Sequence, residues 1–228
     1  DGMVELPSFR MAYFTPEDTG GLLIELVEPR ALEALQLRPA APLRDDVEDR
    51  HLRVGEPAVE ELARVGVTSF IRVGSSAGLQ PGIAPGDLLV SEGSFRNDGT
   101  TDAYLPKGFP AVPDLELTTA LARHAERIAG AAGTNSFRGI SVSDDAFYAE
   151  TPEWIAQLNT MGILNVEMEA SALYIVARLR GLRAGMVCAC SSNLVDGASL
   201  YSGTKADLQA GWMRSIEAAL ETAVELEL

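Results

Sequence analysis

The chain has 228 residues, enough for one full-sized α/β domain with a core of its own. Its 18 basic and 33 acidic residues give a formal charge of −15, which repels nucleic acid and anionic membranes, so neither is an expected partner; the same excess also fits a high-salt habitat. No apolar run reaches membrane-spanning length and no signal-peptide pattern opens the sequence; a cytoplasmic location is expected from the cysteines, two thiols that read as reduced.

In chain order, Leu22–Val27 reads as a first strand. Pro57–Val65 places Ala58, Leu62 and Val65 on one helical face. Val67–Val73 is an apolar, β-prone run that ends in a Gly/Ser-rich stretch, predicted as a turn, and Leu88–Ser91 is a further strand. Pro81, Pro85 and the Pro106–Pro113 stretch mark loops within one domain, residues 1–228. Leu115–Ile128 repeats Leu117, Leu121 and Ile128 at helical spacing; Gly139–Val142 is the next strand. Glu167–Arg180 repeats Met168, Leu173, Val176 and Leu179, and predicts a helix opened by acidic residues. Gly185–Cys190 is a strand, and Lys205–Leu226 a long amphipathic helix. Strands alternating with helices predict an α/β sheet covered on both faces.

Cys188 and Cys190 share one strand face at i, i+2. With no CxxC and no second pair they read as buried, reduced thiols, as suits a reducing compartment. Two histidines, His51 and His124, are too few for a His-rich metal site, and His124 reads as an exposed helix residue. No metal is expected.

Chemistry is expected at strand exits. Arg72 is followed by Val73-Gly74-Ser75-Ser76-Ala77-Gly78. Small residues let backbone N–H groups and a hydroxyl approach an anion, while the guanidinium adds a fixed charge and a planar fork of donors. Arg72 could instead pair with surface acids, but this setting favours phosphate. Ser143-Asp144-Asp145 with Phe147-Tyr148 follows another strand, and Ser191-Ser192-Asn193 a third. In Glu167-Met168-Glu169, helix-start acidity accounts for one glutamate more readily than two; Glu169 could accept hydrogen bonds from a diol while Met168 packs on the flat face of a sugar.

These features together resemble the nucleoside phosphorylase family, with the uridine phosphorylases the most similar branch. The resemblance runs from about Pro57 to the C-terminus. Its segments are Ala58-Val59-Glu60-Glu61-Leu62, Ile71-Arg72-Val73-Gly74-Ser75, Gly86-Asp87-Leu88-Leu89-Val90, Arg96-Asn97-Asp98-Gly99-Thr100, Phe109-Pro110-Ala111, Ser143-Asp144-Asp145-Ala146-Phe147-Tyr148, Val166-Glu167-Met168-Glu169-Ala170 and Leu182-Arg183-Ala184-Gly185-Met186-Val187 with Asn193. Their shared order carries it.

The resemblance implies a single α/β domain whose mixed, partly barrel-like central sheet is flanked by helices. It implies reversible phosphorolysis of a nucleoside to free base and (deoxy)ribose 1-phosphate, a pentosyl transfer of nucleoside salvage. Inorganic phosphate is the co-substrate and no cofactor is expected. Arg72 and Glu169 would be catalytic. Arg30, Arg72, Gly74 and Ser75 would hold phosphate, Met168 and Glu169 the ribose, and Phe147 and Asn193 the base. Relatives assemble as dimers or as hexamers built from dimers, with an arginine of the neighbouring subunit reaching the phosphate; Arg50 or Arg53 is the candidate. Asn193 cannot act as an acid toward a purine N7, which favours a pyrimidine nucleoside such as uridine; Leu194 departs from the arginine usual next to it. Two segments are short for the family: one near Val54–Gly55, and the base-reading loop, where Ala149-Glu150-Thr151-Pro152 leads straight into a helix. A purine nucleoside phosphorylase, a nucleosidase and a non-catalytic nucleoside-binding protein of the same fold stay open as alternatives.

Overall fold

A computed structural model describes residues 55–64, 66–196 and 205–228, together with short strands at 5–6, 9–10 and 24–25. The apolar run that begins at residue 67 does not stop at Arg72. It continues as strand β4, Ser69–Gly78, straight through the glycines and serines. The Gly/Ser segment predicted as a turn is therefore strand, and Arg72 lies inside it. The physical reason is its neighbour. Strand β8, Arg183–Asn193, runs parallel to β4 from Ser69↔Arg183 to Gly78↔Asn193 with one irregularity after Ser76, so the small residues gain ladder hydrogen bonds.

β8 also pairs antiparallel with β5, Leu88–Asn97, through Leu88↔Ala189 and Val90↔Val187. β5 runs parallel to β6, Ser136–Asp144, and β6 parallel to the short β7, Asn165–Glu167. β7 returns antiparallel to β4 through Ala77↔Val166 and Gly78↔Asn165. The ring β4-β7-β6-β5-β8 closes on itself, which removes the unpaired edges of an open sheet. β3, Ile24–Glu25, adds to β4 from outside the ring, and β1 (Glu5–Leu6) pairs with β2 (Phe9–Arg10) as a separate hairpin.

Parallel neighbours need long crossovers, and the helices supply them. Helix α1, Gly55–Arg64, precedes β4; α2, Leu115–Ala131, links β5 to β6; α3, Pro152–Thr160, links β6 to β7. α4, Ala170–Leu179, links β7 to β8, and α5, Lys205–Glu225, follows β8. Starts are encoded locally: Asp114 accepts from the Leu117 amide at 2.9 Å, and Thr151 accepts from the Trp154 amide ahead of a proline at the first helical position.

Three apolar interfaces hold helices to the ring. α2 and α5 bury Leu117, Leu121, Ile216 and Ala219 against Ile71, Val73, Leu88, Val90 and Val187. α1 and α4 pack Val59, Leu173 and Tyr174 against Phe70, Met186 and Cys188. α3 sets Ile155 and Leu158 on Ala77, Val142 and Val166. Both cysteines are buried and free. His124 is not the exposed residue expected. Its two ring nitrogens sit 2.7 Å from Glu221 and 2.8 Å from Glu225, so it is clamped between α2 and α5 by carboxylates that the long final helix brings alongside.

Candidate active site

Arg72 is buried on β4 and points towards the start of α4. Its Nη2 donates to Glu169 Oε2 in an ion pair. Nη1 donates to Cys188 Sγ at 2.9 Å and to Met186 Sδ at 3.3 Å, with Glu167 Oε2 3.9 Å away. Nε is buried with no hydrogen-bond partner among the described residues. Gly74 makes room for this: a Cβ there would stand 3.0–3.1 Å from Nη1, Cζ and Nη2, so the guanidinium lies over its backbone. Burial opposes the charge on Arg72, but the Glu169 carboxylate first, and Glu167 with it, outweigh that and hold the guanidinium above its ordinary range.

The carboxylate of Glu167 organises the shelf beside Arg72. Glu167 is buried at the end of β7 and accepts from the amides of Glu169 (2.8 Å) and Ala170 (2.7 Å), two donors at the start of α4. The helix predicted from residue 167 therefore begins at Ala170, because 165–167 are needed to close the ring and Glu167 serves the helix as its anchor. Ser143 of β6 donates to Glu167 Oε1 at 2.5 Å, accepts from the Ser171 amide at 2.8 Å, and shares a hydrogen bond with Ser94 at 2.8 Å. Burial pushes the Glu167 carboxyl upward against the pull of Arg72. Met168, between the two glutamates, is 41% exposed.

A second zone lies at the end of β6. Phe147 opens a short 3-10 turn, Phe147–Ala149, and is half-buried, with its ring edge-on to Tyr148 at 5.2 Å. Asp144 accepts from Asn97 Nδ2 at 2.9 Å and from Trp154 Nε1 at 3.2 Å. Glu150, just past the turn, is pushed up to about 7 by partial burial and then by the Asp144 charge.

Asn193 is buried at the end of β8. Its Nδ2 donates to the carbonyls of Gln80 (2.9 Å) and Ile83 (3.0 Å), and its Oδ1 accepts from the Val195 amide (3.0 Å). The amide is thus taken up by backbone carbonyls of the 80–83 loop and by the Val195 N–H. By strand alternation Ser75 belongs to the face of Ile71 and Val73, so it does not join the hydrogen bonds of Arg72. Arg30, Arg50 and Arg53 lie outside the described residues. Several motif residues prove architectural. Arg96 places all its N–H groups on oxygens of residues 101–109, Asp98 accepts from Thr101 and Ser171, and Asp87 accepts from the amides of Ala84 and Asn135.

Sequence reasoning brought Arg72, Glu169 and Met168 to one place, and missed Glu167, Ser143, Met186 and Cys188 as their supports. The doubled acid in Glu-Met-Glu was the available signal for Glu167. Nothing local signalled the sulfurs, which depend on the β4–β8 register. Among the described residues no group of side chains could hold a metal ion, and no helix is long and apolar enough to cross a membrane.

The model of the phosphorylase superfamily matches residues 57–225. The chain belongs to this superfamily. It is 42% identical over 143 residues to a guanosine phosphorylase of Halorubrum lacusprofundi, covering 61% of this chain and 56% of that protein. It is 38% identical over 161 residues to a uridine phosphorylase of Thermococcus kodakarensis (65% and 57%), and 38% identical over 144 residues to that of Escherichia coli (57% and 55%). The matches therefore span little more than half the length of these relatives. Among solved structures, the P. knowlesi homolog of P. falciparum PNP superposes with a TM-score of 0.62 at 25% identity, over 75% of this chain and 68% of that one.

Proposed function

We propose that the chain carries a nucleoside phosphorolysis site in which Arg72 holds inorganic phosphate, Glu169 and Met168 hold the pentose, and Phe147 packs on the base. The observation that carries this reading is the state of Arg72. It is a buried, firmly protonated arginine with one donor unpartnered and two sulfurs as neighbours, and it stands in contact with a carboxylate able to bind a diol.

Phosphate on Arg72 would gain charge-assisted hydrogen bonds and lie beside the sugar. Cleavage of the glycosidic bond leaves positive charge on the sugar; the phosphate dianion stabilises it and then bonds to C1′, and the bond's electron pair departs with the base. No protein nucleophile is needed: positioning and charge stabilisation supply the rate. Glu169 orients the sugar through its hydroxyls, and Glu167, fixed by Ser143 and two helix amides, orients Glu169. The amide of Asn193, committed to backbone groups, offers no choice between bases. Preference for a pyrimidine nucleoside rests on similarity to the uridine phosphorylases, and the guanosine phosphorylase similarity makes guanosine the competing substrate. The reading includes a cytoplasmic homo-oligomer, with Arg30 and a neighbour's Arg50 or Arg53 completing the phosphate site.

The test is a panel of uridine, thymidine, inosine, guanosine and adenosine, each assayed with and without inorganic phosphate. Base release that requires phosphate, greatest with uridine, is expected. Release that ignores phosphate would make the chain a nucleosidase; binding without release would make it a nucleoside-binding protein.

A further inference from the structure

The chain buries two arginines in contrasting ways. Arg96 spends every N–H on oxygen: Nε on Thr101 Oγ1, Nη1 on the carbonyls of Pro106 and Phe109, Nη2 on those of Thr101 and Leu105, all within 2.6–2.9 Å. Such a guanidinium is a fixed part of the scaffold. Arg72, also buried, has a different set among the described residues: one carboxylate on Nη2, a thiol and a thioether on Nη1 with the Glu167 carboxylate 3.9 Å away, and nothing on Nε. Sulfur is a weak acceptor but a polarizable contact, so it accommodates an N–H without holding it firmly.

Register makes this arrangement. Arg72 pairs with Met186 and Gly74 with Cys188 across the parallel β4–β8 ladder, so both sulfurs share the face on which the guanidinium lies over Gly74. Resting on the reading of Arg72 as the phosphate ligand, we propose that Cys188 and Met186 are positioning residues: they set the guanidinium in place while leaving its donors available for exchange onto a phosphate oxygen. An oxygen in their place would compete with the phosphate. Burial also pushes the Cys188 thiol up to about 11, so near neutral pH it is a neutral, soft neighbour of Arg72 and not a thiolate that would capture it.

The experiment measures phosphate affinity by calorimetry, and phosphate KM, nucleoside KM and kcat by steady-state assay, for the wild type, Cys188→Ser and Cys188→Ala. Serine hardens the acceptor, and should weaken phosphate binding roughly fivefold to tenfold with a matching rise in phosphate KM and little movement of nucleoside KM. Alanine removes the acceptor and should weaken phosphate less than serine does. A thiol that only fills space predicts the reverse order, since serine is nearer to cysteine in size. Should Cys188→Ser fail to fold, Met186→Gln puts an amide oxygen at the neighbouring position and is expected to weaken phosphate in the same selective way. Phosphate affinity equal to wild type in a folded Cys188→Ser, or a larger loss in alanine than in serine, overturns the inference while leaving the phosphorolysis reading intact. Absence of phosphate binding by the wild type overturns both.

Discussion

Arg72 and Glu167 are buried, Glu169 is partly buried beside them, and each is kept in place by the others. Removing Glu167 shows how tightly they are coupled. Glu167→Ala strands the amides of Glu169 and Ala170, and a buried unsatisfied group costs about 1–3 kcal/mol. Urea unfolding should show a loss at least of that order, and turnover should fall with it because Glu169 loses its support; an unchanged midpoint would contradict the assigned anchoring role. Glu150 gives a pH test with a definite sign. Below its ordinary value of 4.5 the carboxyl is protonated in folded and unfolded chains alike and contributes nothing. Between 4.5 and about 7 the unfolded chain releases a proton that the folded chain retains, so folding is progressively penalised, and above about 7 the penalty is full. Glu150→Gln should therefore raise Tm at pH 8, with the gain fading towards pH 4.5; an equal gain at both would disprove the burial of this carboxyl beside Asp144. At this scale the sequence singled out Arg72 and Glu169 as candidates, and the fold puts them in contact. It did not disclose what they touch: Met186 lies 114 positions from Arg72, and only strand pairing joins them.

Among the elements, alternation of strand and helix was legible because apolar periods of two and of three to four leave a direct trace in the chain. Strand ends were not. β4 outruns its apolar run because Gly74–Gly78 are held by ladder partners on β8, and α4 starts three residues late because β7 claims 165–167. A partly barrel-like sheet was expected only from resemblance, since β7, which closes the ring, contributes three residues, too few for a periodic signal. Close helix-to-strand approach depends on Gly185. A Cβ there would fall 2.1 Å from Leu117 Cδ2, so either the Leu117 side chain or α2 would have to shift. Gly185→Ala should destabilise by about 1–3 kcal/mol, the usual range for overpacking a filled core. A midpoint shift in urea with unchanged slope is the expected record; wild-type stability would mean that α2 yields without strain.

For the whole molecule, an excess of 15 negative charges on 228 residues opposes folding by self-repulsion. Local cation pairs relieve part of it, as where Arg123 and Arg127 face Glu225 and Glu221 across α2 and α5. Screening shortens from ~10 Å at 0.1 M salt to ~3 Å at 1 M, which quiets the long-range repulsion more than the close contacts. Tm should therefore rise as KCl increases from 0.1 to 1 M; a flat or falling Tm would mean that the paired contacts, not the net charge, dominate. The central claim is narrower than the fold: that an oxyanion on Arg72 becomes bonded to a pentose. The most direct measurement is the phosphorus-31 NMR spectrum of the protein incubated with uridine and inorganic phosphate. A new pentose 1-phosphate ester signal that Arg72→Ala abolishes is predicted, the loss being at least the roughly hundredfold to thousandfold of a missing preorganised donor. Release of uracil with all phosphorus left as inorganic phosphate, or an ester signal undiminished in Arg72→Ala, would contradict the claim.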